Sequence, residues 1–223
     1  MSREFIPKSI ARSLPVLFVA ALAAGASKDD FVSIFDGKSA TGWKTNVGKP
    51  VPAANVQPDG LNPHRSGGYL VVHEKTYGDF VLDFDYKLSP GCNSGVFIRV
   101  NDLKKPVQTG LEIALDDTKG HGYHDTGAFY DLVPPKKNAQ KPAGEWNHMT
   151  ITANGSVIDV VLNGERVSSI DLDSFDRPGK RDDGSDHKFK GITIKELGRS
   201  GHLGFQDHGG DCWYRNVRIK SLD

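Results

Sequence analysis

Asn93, Arg99, Glu112, Gln206 and His208 combine two amides, a guanidinium, a carboxylate and an imidazole. Such a set can bind a polyol and move protons if the chain brings it to one surface. Alternation along three stretches predicts that it does. In residues 94–100, Val96, Ile98 and Val100 share one face, which turns Asn93, Phe97 and Arg99 to the other. Leu111, Ile113 and Leu115 form an apolar set around Glu112, while Leu203 and Phe205 leave Gln206 and His208 facing away from it. If these strands lie in one sheet, the five polar side chains line its outer, concave surface. Each has an ordinary alternative. Glu112 could be a solvated strand residue, and Arg99 a surface ion pair of little energy. His208 could belong to the turn-like run Asp207-His208-Gly209-Gly210.

The elements that must position these residues read as strands. Phe80, Leu82, Phe84, Tyr86 and Leu88 alternate strictly with Val81, Asp83, Asp85 and Lys87. Asn154-Gly155 and Asn163-Gly164 are hairpin signals, so three strands follow one another as a meander. About eleven candidate strands and no amphipathic helix predict an all-β, antiparallel sandwich, because each sheet needs a partner for its apolar face. Residues 45–68, rich in Gly, Pro and Asn, and the charged residues 174–188 read as long loops.

Lys+Arg and Asp+Glu number 28 each, and no basic stretch marks the folded part, so nucleic acid is not an expected partner. Arg3, Lys8 and Arg12 precede an apolar run over residues 14–24, and Ala24-Gly25-Ala26 supplies small residues for cleavage. This predicts a signal peptide over residues 1–26 and a single domain over 27–223. The apolar run is too short to span a bilayer. The expectation is an exported protein, periplasmic or extracellular, with no stable membrane anchor after removal of the signal. Cleavage there leaves 25 basic against 27 acidic residues. Cys92 and Cys212 are candidates for a disulfide in an oxidising compartment, or equally for two separate buried thiols.

No cofactor is assigned. His121 and His124 lie three apart without further ligands at zinc spacing. Asp116, Asp117, Asp125 and Asp131 could gather around calcium or serve as plain loop carboxylates.

Several stretches together resemble one family. They are Phe31-Val32-Ser33-Ile34-Phe35-Asp36-Gly37-Lys38 with Gly42-Trp43, Asn93-Ser94-Gly95-Val96-Phe97-Ile98-Arg99, and Gly110-Leu111-Glu112-Ile113. Thr126-Gly127-Ala128-Phe129-Tyr130-Asp131, Lys141-Pro142-Ala143-Gly144-Glu145-Trp146-Asn147, Gly204-Phe205-Gln206-Asp207-His208-Gly209 and Trp213-Tyr214-Arg215-Asn216-Val217 come after them in order. The chain resembles the 3-keto-disaccharide hydrolase domain family. That resemblance implies a concanavalin A-like jelly roll and a carbohydrate substrate whose C3 hydroxyl has been oxidised to a ketone. It adds Tyr130, Asp131, Asp207 and Arg215 to the binding candidates. Arg215 is in phase with Trp213, Val217 and Ile219, which should be core, so it is either buried and paired or re-aimed by a bulge. On such a substrate Glu112 or His208 would be the base or acid, and Arg99 would steady the oxyanion. A sugar-binding module without catalysis is the competing expectation. It would need aromatic platforms such as Trp43 or Phe97 but no perturbed acid-base pair.

Overall fold

Alternation becomes a sandwich where each apolar face meets its partner. The computed structural model describes residues 30–118 and 121–223, so the expected signal segment, 1–26, lies outside the described residues. One antiparallel sheet runs β11 (Glu165–Asp171), β10 (Val157–Leu162), β9 (Asn147–Asn154), β6 (Phe80–Leu88), β13 (Cys212–Ser221), β4 (Gly60–Leu61) and β3 (Val56–Gln57). The short β1 (Val32–Ser33) also pairs with β13. The second sheet runs β2 (Trp43–Thr45), β5 (Leu70–Tyr77), β12 (Gly201–Gln206), β7 (Asn93–Val100) and β8 (Leu111–Asp116). Between them lies one core containing Phe80, Leu82, Phe84, Tyr86 and Leu88 from β6 with Val96, Ile98, Ile113, Leu115 and Phe205 opposite. At its centre Trp43 stacks on Phe205 and Phe205 on Tyr214, with centroids 5.3 and 3.8 Å apart. Buried rings of this size contribute about 2–3 kcal/mol each. Trp43 is therefore core, not a sugar platform.

Both hairpins form at the expected places. Leu162 pairs with Glu165 across Asn163 and Gly164, both at positive φ, as a two-residue turn requires. Residues 45–68 depart from the expected open loop, because they contribute β3, β4 and the buried Asn55, Leu61 and Asn62. Gly60 makes this possible. A Cβ there would lie 2.3 Å from the Tyr214 carbonyl oxygen.

Two bulges break the alternation. Asn216 has φ +52°, and the β13–β6 register shifts between Arg215 and Arg218. Cys212 and Tyr214 therefore point inward before the bulge, and Val217 and Ile219 after it. Trp213 and Arg215 are left on the outer face, where the Arg215 guanidinium covers the Trp146 ring at 3.7 Å and meets Asp85 at 3.4 Å. In β7, Arg99 has φ +51°, and the pairing with β12 also shifts. Val100 consequently joins Phe97, Leu70 and Val72 on the outer face of the second sheet, against the expected parity.

Cys92 and Cys212 are both buried and free. Burial pushes the Cys92 thiol up to about 12 and that of Cys212 well above its ordinary value.

On the outer face of the larger sheet, His148 lies between two carboxylates, with Nε2 3.1 Å from Asp83 and Nδ1 2.9 Å from Asp85. The Asp83 bond outweighs partial burial and raises His148 to about 9. Asp83 falls to about 2, because bonds from His148, Arg218 and Thr150 overcome its own burial. The His148 contribution to stability is present below about pH 6.5 and lost as pH rises through about 9. Asp83 contributes above its ordinary value of 3.8, and loses that contribution as pH falls toward about 2. Melting curves of the parent and a His148→Gln variant should therefore converge between pH 6.5 and 9. A gap that stays constant through this window would show that His148 is not held protonated.

Candidate functional site

Leu111, Ile113 and Leu115 enter the core, which turns Glu112 of β8 to the outer face as alternation predicts. Glu112 pairs across the ladder with Phe97 of β7, and Phe97 with Gly204 of β12. Two residues along β7, Gly95 leaves the space that the Glu112 carboxyl occupies. A Cβ at Gly95 would lie 2.7 Å from Glu112 Oε1 and 2.9 Å from its Cγ. The carboxyl thus lies across its neighbour strand, against apolar surface. Burial raises it to about 7, although the Lys188 cation draws it down. Gly95→Ala should displace this side chain while leaving the ladder intact. Turnover should fall ~100-fold, the scale for a catalytic group moved by about 1 Å, with the melting temperature little changed. An unaffected kcat/KM would mean that the position of the carboxyl is not critical.

Asn93 lies on the same face of β7, opposite Asp116. Gln206 of β12 pairs with Leu70 and is buried on that face. Its Nε2 donates to the Tyr69 hydroxyl oxygen at 2.5 Å, leaving its Oε1 without a partner among the described residues. Because the Tyr69 oxygen accepts that bond, its own proton is free to be donated elsewhere. Burial, and then the Glu112 charge, hold the Tyr69 phenol up at about 12, so it stays protonated. Tyr69 packs edge-on against Phe97, with centroids 5.8 Å apart.

Tyr130 comes to Glu112 through the backbone, its N–H donating to the Glu112 carbonyl at 2.9 Å. The Lys188 Nζ sits 3.5 Å from the centroid of the Tyr130 ring, and His124 stacks on that ring at 4.7 Å. Asp131, also at positive φ, fastens the charged segment to the sheet. Its carboxylate accepts from Arg181 Nη2 at 2.7 Å and from the Lys188 N–H at 2.5 Å. Asp207 similarly holds residues 64–65, accepting from the Arg65 N–H at 2.8 Å beside His64. Asp131 and Asp207 are therefore braces for the walls of the site.

Three sequence candidates stand apart. Arg99 lies inside the bulge, 1% exposed, bound to the Gly78 and Gly155 carbonyls and to Asp79 at 2.8–3.0 Å. It cannot steady an oxyanion beside Glu112. Arg215 belongs to the opposite sheet. His208 is exposed in the turn two residues beyond Gln206 and makes no hydrogen bond or ion pair among the described residues. Phe97 is fully buried and offers no exposed platform. The acidic residues do not converge either. Asp116 binds Thr118, Asp117 accepts from Gly91, and Asp125 from Gly122. Tyr69, His124 and Lys188 complete the group, and alternation gave no sign of them because each lies outside the three stretches that point to Glu112.

Comparison with known proteins identifies the family and the fold. A model of the 3-keto-alpha-glucoside-1,2-lyase-like domain matches residues 30–220. A 3-keto-disaccharide hydrolase of Bacteroides thetaiotaomicron is 27% identical over the whole chain and 89% of its own length. A crystal structure of a glycosyl hydrolase assigned by similarity, from Parabacteroides distasonis, superposes with a TM-score of 0.67 at 31% identity, covering 81% of this chain and 99% of its own. A second from that organism gives 0.71 at 26%, covering 87% and 95%. A Crh5 transglycosylase, at 13% identity and 0.52, shares the fold alone.

Proposed function

Because the chain belongs to the 3-keto-alpha-glucoside-1,2-lyase-like domain family, we propose that it is an exported hydrolase that cleaves the C1 glycosidic bond of 3-keto sugars, with Glu112 as the base. The observation that carries this reading is a carboxyl held near 7 by burial on an outward face, with a cation and a phenol beside it. A module that only binds sugar has no use for a desolvated carboxyl poised to titrate at neutral pH.

The ketone at C3 makes the C2 proton acidic, because the electrons left behind spread onto the ketone oxygen. Glu112 takes that proton, and the C2–H electron pair becomes the enolate. The enolate collapses to a C1–C2 double bond, and the C1–O bond breaks with its electron pair going to the leaving oxygen, which acquires a proton. Water then adds across the double bond, hydroxyl to C1 and hydrogen to C2, so the net reaction is hydrolysis. The enolate oxygen needs a donor or a cation. Lys188 supplies the positive charge in place of Arg99, and the Tyr69 hydroxyl supplies a proton fixed in direction by Gln206. Asn93 offers an amide to sugar hydroxyls, while the buried Gln206 acts through the Tyr69 hydroxyl that it orients.

The test is incubation of residues 27–223 with a 3-keto disaccharide and, separately, with the unoxidised sugar. Release of sugar from the keto form alone supports the proposal. Binding without release from either would make the domain a sugar-binding module.

A further inference from the structure

Glu112 also borders an apolar crevice. Phe97, Leu111, Leu132, Ile192, Ile194 and Leu197 contribute to its lining. Its polar side chains are Glu112, Tyr130 and Gln108. Through Val107, Gln108, Phe189 and Ile192 the crevice shares its walls with a more open groove of about 330 Å³ that Lys188 and Lys190 also line. One wall comes from the short helix α1 (Pro106–Thr109) and the other from the segment anchored by Asp131.

In the proposed reaction the leaving oxygen is on C1, next to the carbon that Glu112 deprotonates. Whatever departs must therefore begin beside Glu112. A second sugar would bring a hydroxyl on most of its carbons, and each one buried without a partner costs about 1–3 kcal/mol. Beyond Gln108 and the two lysine ammonium groups, the side chains lining this groove have nothing to meet them. A flat aromatic ring needs none and gains from the aliphatic walls. Lys188 and Lys190 favour the negative oxygen of a departing phenolate.

We propose that the groove between α1 and residues 188–197 is the leaving-group subsite, and that it takes an aryl aglycone in preference to a second sugar. This rests on the keto-glycoside reading of Glu112, so one arm of the test does not require turnover.

The kinetic arm compares 4-nitrophenyl and methyl 3-keto-glucosides on the parent, Ile192→Asn and Gln108→Leu proteins. Ile192→Asn should lower kcat/KM about tenfold for the aryl substrate, the scale for losing one apolar contact, and leave the methyl substrate unchanged. Gln108→Leu, at an exposed position on the groove wall, should raise the aryl value alone. The binding arm follows 4-nitrophenol by ligand-observed NMR, with loss of the signal expected in Ile192→Asn. If both variants change the aryl and methyl substrates equally, the subsite assignment is overturned while the keto-glycoside reading stands. If no keto-glycoside is cleaved but 4-nitrophenol binds the parent and not the variant, the reading of Glu112 fails and the aryl site remains. Absence of binding together with a uniform kinetic response removes the proposal.

Discussion

Glu112→Gln is expected to lose ~10³-fold or more in kcat/KM while melting at a higher temperature than the parent at pH 8. The loss comes from removing the only carboxyl among the described residues that line the crevice. The gain in stability comes from the sign of the perturbation. The folded chain holds this group near 7, above its ordinary value of 4.5. The fold is thus at full strength below about pH 4.5, and is weakened as pH rises through about 7 and a buried charge forms. The penalty at pH 8 is on the order of 3 kcal/mol, at 1.36 kcal/mol per pKa unit. Glutamine fills the same space without ionising, so the variant should keep its melting temperature between pH 5 and 8 while the parent loses part of its own. In the parent, kcat/KM should rise through the same region, because the base must be unprotonated to act. An active Glu112→Gln enzyme would exclude Glu112 from the mechanism. A variant that is inactive but no more stable at pH 8 would mean the carboxyl is not desolvated in the free enzyme.

Arg99→Ala should do the opposite, destabilising the chain by about 3 kcal/mol while leaving kcat near normal below the melting transition. The guanidinium joins Gly78 and Asp79, in the link from β5 to β6, and Gly155, in the β9–β10 turn of the larger sheet, to a bulge in the smaller one. Its removal strands two carbonyls and a carboxylate and empties a tightly packed position. For a domain of this size the change corresponds to a fall of ~10 °C. Lysine cannot reproduce a planar fork with three separate acceptors, so Arg99→Lys should recover only part of the loss. If Arg99→Ala instead lowered kcat with no change in melting, Arg99 would return to the reaction site.

Much of the fold was legible in the amino-acid pattern, and the reasons are local. Where a strand has one buried face and no irregularity, as in β6 and β8, period-two alternation assigns every side chain, and Glu112 was placed this way. Asn163-Gly164 carries its turn in its own backbone preferences. The bulge at Arg99 had no such signature, whereas the conflicting parity of Arg215 had left a bulge there as one of two alternatives. Arginine at φ +51° is not an intrinsic preference of the residue, and is imposed by the hydrogen bonds its side chain makes across the sandwich. A single such residue inverts the facing of the strand beyond it, which put Val100 on the wrong face and Arg99 at the wrong site. For Arg215 the structure bears out the second alternative, a bulge at Asn216 that leaves it on the outer face. Tyr69 and Lys188 were illegible for another reason. Lys188 comes from a segment that read as a loop and Tyr69 from just beyond another, and no spacing along the chain records the approach of residues 76 or 43 positions from Glu112.

The placement of Glu112 separates what the protein does from what it does it to. The proposed base is carried by a ladder-bonded strand, whereas four of the six residues lining the groove beyond it come from residues 188–192, a segment that Asp131 helps to fasten. Natural variation, or a laboratory library confined to that stretch, could therefore exchange one accepted aglycone for another without touching the chemistry. Homologues differing mainly there should share a reaction and diverge in diet.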